Sequence, residues 1–572
     1  MSGNHGFSGI YEQGDQINYR RADIANEGRH HTINAQGYRP KDQNKAMNEM
    51  IDEHIQDDVA DRYKHDPTYR ATMHGNEPSR GAKADAEIQQ EEAEILSRKK
   101  EKTDSMPGKN VWHQLSIVAS ELLTSAVCLD VIVIGAGISG LATAIETALS
   151  GHNVIVFEAE EGLHKIGNGM QITPNASLIL QRWGLSDNLW ASAAEPTSFT
   201  IRRYSGEALA VEEDWKNKIR GRYGAPFIEL HRVDFQKALY ERAKELGVQF
   251  RFGEKISRVN FETGDITSQS GTSISGDWVV AADGLWSLCR AQFLPRDFEG
   301  VPRPTGDLAY RITIKLDRIQ DPKLREWVSN PKFNIWMGPK SHVIGYSLRS
   351  GTEFNLILIT LDDLPSDVSR QAGSVEELRA LFKNWDPILT KFLELASSVK
   401  KWKLMHRKEM RRWIHDSPNS KFAFVGDCCH PVPPYLGQGA NSSIEDGAVL
   451  GRLLGHVQTK EQIGQVLGLY EQLRKPRGEV ITKVSLEQRD VLHMIDGPKQ
   501  RARDELLLSR IDKEAKEAPF PIRMLCPQAQ PWLFGYDAYA EVDKAVSECP
   551  FIIPHEEDSD LGDEDSGIAF EN

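Results

Sequence analysis

The sequence predicts an α/β protein in which a parallel-sheet region is interwoven with an antiparallel sheet and closed by a helical C-terminal part. Three observations carry that expectation. The continuous β-branched run Val131–Ile134 leads through glycines into a helical stretch, the order of a strand–turn–helix unit buried on both faces. From Asp307 to Thr360, strand-like segments succeed one another without intervening helices, the texture of an antiparallel sheet. After residue 401 a strand–loop–helix order returns and gives way to helices.

The chain has 572 residues, room for two or three domains or one composite domain. Its net charge of −14, with no strong basic run, argues against a nucleic-acid partner. Six cysteines (Cys128, Cys289, Cys428, Cys429, Cys526 and Cys549) form neither a disulfide framework nor a paired C-x-x-C zinc site. A reduced, cytoplasmic setting is therefore expected, with no metal. Cys428, Cys429 and His430 are too close together on a tight loop to suit tetrahedral zinc. Residues 1–110 are polar and nearly empty of apolar clusters, so they are expected to be a disordered extension. They show no secretory signal pattern. Residues 111–129 read as a lead-in segment whose Leu115, Val118 and Leu122 share a helical face. That segment is short for a membrane span, and no other stretch approaches one.

The first strand–turn–helix unit is the most informative. Val131–Ile134 runs into Gly135-x-Gly137-x-x-Gly140, a helix is expected over Leu141–Ser150 with Gly151 after it, and a second strand, Val154–Phe157, ends on Glu158. In a dinucleotide site Gly135 makes the tight turn, Gly137 admits a pyrophosphate, and Gly140 lets helix and strand pack closely. The N–H groups at the helix start attract phosphate, and Glu158 can accept from a ribose hydroxyl. A lone G-x-G-x-x-G is weak. Set between strand and helix and followed by an acid about twenty residues on, it indicates a bound dinucleotide.

A Gly-rich crossing, Ile166–Asn175 with Gly169 in it, precedes a helix from about Ala176 to Trp183. At Glu229–Phe235 a strand meets a helix, with Arg232 at the junction. A cation gains nothing from the dipole there, so either a ligand or a surface salt bridge explains it. Val248–Phe252 alternates as a half-buried strand, and Asp277–Gly284 reads as a buried strand ending on Asp283 and Gly284. Strands are expected at Ala309–Lys315, Phe333–Met337, His342–Leu348 and Glu353–Thr360, then helices over Ser374–Leu395. Lys421–Val425 enters Gly426-Asp427, and Pro434–Asn441 opens a helix at Ser442, a second loop suited to anions. These textures divide the chain into 130–305 and 401–545 for the dinucleotide-binding region and its C-terminal helices, 306–400 for a substrate-covering sheet, and 546–572 for an acidic tail.

Taken together, Gly135-x-Gly137-x-x-Gly140 with Glu158, Asp277–Arg290 with Asp283-Gly284, and Gly426-Asp427 through Asn441 resemble the salicylate-hydroxylase-like aromatic monooxygenases, single-component FAD enzymes. Trp532–Asp537 also resembles that group's C-terminal region, and the likeness spans about Asp130 to Ala545. The resemblance implies a Rossmann-like FAD-binding domain in which Glu158 binds the adenosine ribose and Arg232 the ribityl or phosphate groups. It further implies that Asp427 binds the ribityl chain, that Gly439 and Ala440 face the isoalloxazine, and that Asp283 serves both FAD and the nicotinamide coenzyme. Gly169 belongs to the same implied cofactor set.

The chemistry implied is reduction of FAD by NADH or NADPH, reaction with O2 to a flavin hydroperoxide, and hydroxylation of a phenol or aromatic acid, polyketide phenols of secondary metabolism included. Arg311 and Tyr346 match an arginine and a tyrosine that related fungal-type hydroxylases use to hold the substrate. Ordinary strand residues with solvated heads are the alternative for both. A prenyl-chain epoxidase of the same superfamily and a non-catalytic flavin-fold scaffold are the competing functions. The oligomeric state is open.

Overall fold

The computed structural model describes residues 124–163, 167–294, 302–415, 420–509 and 520–553. The extension expected over 1–110, most of the 111–129 lead-in and the tail beyond 553 lie outside them.

Asp130–Ile134 is the middle strand of a five-stranded parallel sheet whose order is Phe422–Phe424, Trp278–Ala281, Asp130–Ile134, Asn153–Glu158, Gln249–Phe252. Its β-branched residues Val131–Ile134 are all buried, as a strand covered on both faces requires. Gln249–Phe252 lies at the edge and is only half covered, which is why its sequence alternates.

The helix after the first strand starts earlier than the apolar pattern suggests, at Ile138, and ends at Leu149. A second helix, Gly439–Leu454, likewise begins ahead of the expected Ser442. In both, glycine and serine interrupt the apolar pattern in the first turn, Ser139 and Gly140 in the one and Gly439 and Ser442 in the other. The two helices pack very closely. A Cβ at Gly447 would lie 2.6 Å from the backbone carbon of Ala142, and one at Gly451 would lie 2.6 Å from Glu146 Cβ. Only glycine permits that interaxial approach.

The sheet expected from Asp307 onward is present and larger than the sequence indicated. It has eight strands in the order Arg370–Gly373, Val399–His406, Arg303–Lys315, Glu353–Leu361, Ser341–Leu348, Phe333–Gly338, Ser198–Arg203, Ala208–Glu213. The last two come from far upstream, and Ser198–Arg203 joins Phe333–Gly338 in parallel. This pairing across more than a hundred residues left no local signal.

Period-two alternation gives the sheet two distinct faces. Tyr310, Ile312, Leu356, Leu358 and Val343 point to one side, where they form a core with Leu378, Phe382, Leu389 and Phe392 of the helices Val375–Leu381 and Pro387–Glu394. Arg311 pairs with Ile357, which pairs with Ile344, so these three share the opposite face. Tyr346 and Asn355 lie one row further along that same face. A separate two-stranded ribbon, Gly169–Ile172 with Ile228–His231, completes the frame around the site.

Gly447→Ala should lower stability by about 1–3 kcal/mol, because the methyl meets backbone. Gly468→Ala, in the long helix Ile463–Leu492 with nothing within 4 Å of the added Cβ, should raise it by roughly 0.5–1 kcal/mol. Urea midpoints of the two variants should move in opposite directions.

Candidate functional site

The first strand delivers its glycine loop in a fixed shape. Gly135 has φ 108°, a region that excludes larger residues, and a Cβ there would also lie 2.5 Å from the Ala282 carbonyl oxygen. A Cβ at Gly140 would sit 1.9 Å from the Gly135 carbonyl oxygen. Glu158 closes the loop from the neighbouring strand end, its Oε2 accepting the Ala136 N–H at 2.8 Å and its Oε1 the Glu160 N–H at 2.9 Å. The helix that follows has no side-chain cap, so its first N–H groups are available to a ligand. The Gly439–Leu454 helix also lacks a side-chain cap.

Both helix starts open on one cavity of about 290 Å³, lined by Gly137, Ile138 and Ser139 from the first and by Gly439, Ala440 and Ser443 from the second. Gly169, Met170 and Gln171 of the ribbon, Arg232 at the start of the Arg232–Glu245 helix, and Asp427 form further walls. The large sheet contributes Arg311, Ile344, Ile357 and Ile359, the face left free by its own core.

The charges of the cavity are unequal. Arg311 is pulled below the usual arginine range by burial, opposed by Tyr346 and reinforced by Arg232. It remains a cation, since guanidinium is effectively always protonated. Its Nε is buried without a hydrogen-bond partner among the described residues, and its guanidinium lies 5.6 Å from the Trp402 ring centre. The Asp427 side chain is exposed to the cavity, where the charges of His430 and Arg232 act on its carboxyl.

A buried ion network holds the Gly426–Asp427 loop. Asp446 accepts the Gly426 N–H at 2.9 Å, His430 Nε2 at 2.5 Å and Arg474 Nε at 2.8 Å. Its neighbour Glu445 accepts Arg477 Nε and Nη2, each at 2.8 Å, and Asn175 Nδ2 at 2.6 Å, and pairs with Arg474 Nη1 at 2.7 Å. Despite the cost of burial, the partners His430 and Arg474 bring Asp446 down to about 2. From the other side, Arg290 Nη1 donates to the Cys428 carbonyl at 3.0 Å.

Of the residues singled out from the sequence, Gly137, Gly169, Arg232, Arg311, Asp427, Gly439 and Ala440 meet at the cavity. Gly135, Gly140 and Glu158 shape its phosphate-side loop without lining it. Asp283 also stands off the lining: its Oδ2 accepts the Cys289 N–H at 3.1 Å, and its Oδ1 is buried without a partner. Tyr346, expected beside Arg311 at the substrate, is fully buried behind the ribbon and does not line the cavity. The reason is Gly169, whose bare Cα lets the Tyr346 ring close over it.

Sequence reasoning missed Gln171, the isoleucine wall and the whole Glu445–Asp446 network. For the network a signal existed: adjacent acids inside an otherwise apolar helix.

The donor set fits FAD. Two uncapped helix starts face one cavity, open space lies in front of Gly137, where a Cβ would meet nothing within 4 Å, and an acid and a cation flank the gap. Residues 128–485 match the family model described as FAD binding domain. The FAD-dependent monooxygenase OpS4 of Beauveria bassiana (strain ARSEF 2860) is 44% identical over 423 residues, which cover 73% of this chain and 97% of the relative. The chain belongs to the FAD-dependent monooxygenase family.

More distant relatives of this monooxygenase include the 3-hydroxybenzoate 6-hydroxylase of Polaromonas naphthalenivorans (strain CJ2), 27% identical over 72% of this chain and 96% of that protein. A solved salicylate hydroxylase substrate complex shares the fold, with a TM-score of 0.60 at 21% identity over 73% of this chain and 98% of that chain. No described helix of the monooxygenase is long and apolar enough to cross a membrane.

Two outcomes test the site. Glu158→Ala removes the acceptor that closes the glycine loop and should weaken FAD retention by about tenfold or more, read from flavin content after dialysis. Asp446→Asn should cost roughly 3–5 kcal/mol, because it leaves Arg474 buried beside one fewer carboxylate. The Asp446 carboxyl is depressed in the fold, so its stabilisation is present above the unfolded value near 3.8 and is lost as pH falls towards 2. Acid unfolding of Asp446→Asn should lack that component.

Proposed function

We propose that this monooxygenase uses NADH or NADPH and O2 to hydroxylate a phenolic or aromatic-acid substrate, with polyketide phenols of secondary metabolism within the substrate class. The observation that carries the reading is Arg311: a half-buried cation whose Nε is buried and unpartnered among the described residues, set in an apolar isoleucine wall and facing two helix starts across the cavity. An apolar slot with one fixed cation suits a flat ring bearing a carboxylate or phenolate. The relatives named as benzoate hydroxylases support the same class.

Each residue's part follows from its position. The N–H groups at Ile138 and Ser139 hold the diphosphate, with the loop held in shape by Glu158. Asp427 and Arg232 hold the ribityl and phosphate oxygens. Gly439 and Ala440 would hold the isoalloxazine at a helix start, whose free N–H groups favour negative charge. When bound, FAD supplies the two-electron chemistry that activates O2. Ile344, Ile357 and Ile359 press the substrate ring into place and keep water out. Arg311 orients the substrate by its anionic oxygen and lowers the cost of the phenolate form, which makes the ring electron-rich. Tyr346, placed behind Gly169, supports the wall and acts through its neighbours.

A panel of phenolic acids, with product mass spectrometry and NAD(P)H consumption measured together, tests the assignment. Arg311→Ala should keep its FAD and lose productive orientation, with hydroxylated product formed about 100-fold more slowly and hydrogen peroxide released instead. Arg311→Lys keeps the charge without the planar fork and should be partly active. Normal product yield in Arg311→Ala would remove this cation from the substrate site.

A further inference from the structure

Glu229 lies in the Ile228–His231 strand and is fully buried. Its backbone is paired with Ala194 in both directions, at 2.8 and 3.0 Å. The side chain is different: neither carboxyl oxygen has a hydrogen-bond partner among the described residues. An ionised carboxylate left alone in the interior would cost several kcal/mol, so the group must be a neutral acid or serve a neighbour. Burial does drive it well above the usual carboxylate range.

Its neighbours are also incomplete. Gln171 is directly opposite in the antiparallel ribbon, so the two side chains share a face. Gln171 lines the cavity, and its Nε2 is buried without a partner. Tyr346 comes onto the same face from the large sheet: a Cβ at Gly169, two residues before Gln171, would lie 2.7 Å from Tyr346 Oη. That hydroxyl too is buried and unpartnered.

Three side chains with unmet polar atoms thus meet between the ribbon and the sheet, and one of them opens on the cavity. Burial keeps Tyr346 a phenol, and its hydroxyl responds to Glu229, to Arg311 and to the neighbouring Gln171 side chain. His231, further along the Glu229 strand, is governed by burial and by Arg349, Asp234 and Glu353.

We propose that Glu229, as a neutral carboxylic acid, is a positioning residue that orients the Tyr346 hydroxyl and the Gln171 carboxamide, so that Gln171 Nε2 donates to an oxygen of the aromatic substrate. A carboxylic acid has one O–H to give and acceptor capacity besides, which matches a phenol and a carboxamide facing it. Tyr346 is thereby connected to the substrate through Gln171, across the gap that its burial creates. Arg311 and Gln171 then hold two sides of the ring. This rests on the aromatic-hydroxylase reading and goes beyond it by assigning a second recognition group.

The test uses FAD-loaded protein and the variants Glu229→Gln, Glu229→Leu and Gln171→Leu. Infrared difference spectra between wild type and Glu229→Gln at neutral pH should show loss of a protonated-carboxyl stretch. A carboxylate stretch in its place would overturn the proposal, and this readout needs no turnover. With 3-hydroxybenzoate as the probe, followed by its perturbation of flavin absorbance, Glu229→Leu and Gln171→Leu should each bind roughly tenfold more weakly at unchanged FAD content. The double variant should be no worse than either alone, because both remove one interaction.

Glu229→Gln, which can still donate and accept, should stay within about threefold of wild type; loss of probe binding in this folded variant would overturn the proposal, as would unchanged binding in Gln171→Leu. If wild type hydroxylates no phenol in the panel, the functional reading fails, while the infrared and probe-binding results still decide the role of Glu229.

Discussion

Everything that meets at the cavity depends on two adjacent buried carboxylates, Glu445 and Asp446. Taking such charges out of water is costly, and the cost is offset only where every oxygen finds a partner. Here Asp446 fixes the Gly426 amide and, through His430 and Arg474, the loop that carries Asp427. Glu445 reaches back to Asn175 and forward to Arg477, whose Nη1 donates to the Trp532 carbonyl at 2.9 Å. The Gly439 helix, the crossing after Gly169 and the C-terminal segment are therefore set by one charge cluster. Pro476 falls between the two arginines in the long helix, so their turn is also the turn that lacks one backbone donor. Side-chain ion pairs anchor the helix where its backbone ladder is interrupted.

The same frame explains the electrostatic character of the site. Two uncapped helix starts, Arg232 and Arg311 all present positive potential to one space, and among the described residues that line it Asp427 carries the carboxylate. An elongated anion can neutralise such a set along its length. The cavity combines backbone donors at the two helix starts with an apolar wall contributed by the large sheet.

Much of this was legible in the sequence because it is local. Val131–Ile134 with its glycines, and the Asp427 loop with Gly439, are contiguous motifs whose spacing states their geometry. The strands Ala309–Lys315 and His342–Leu348 were legible as members of an antiparallel sheet, which put Arg311 and Tyr346 on the sheet expected to cover the substrate. What was not legible is what arises between distant segments. The Ser198–Arg203 strand joins the sheet by a parallel pairing that has no local marker. Tyr346 could be placed in that sheet, but not behind Gly169, because that depends on how the ribbon crosses the sheet. Glu229 read as one more residue in a strand, and only its missing partners distinguish it.

The large sheet's division into two faces has a further consequence. Tyr310, Ile312, Leu356 and Leu358 hold the sheet to its helices, while Arg311, Ile344, Ile357 and Ile359 touch the cavity. The two sets interleave along the same strands and point to opposite faces of the sheet. A change of side chain at Ile344 or Ile357 can therefore reshape the slot while leaving the opposite core intact. The residues that shape the cavity and the residues that hold the scaffold together thus fall on alternate positions of the same strands, so the one set can vary one position at a time without endangering the other.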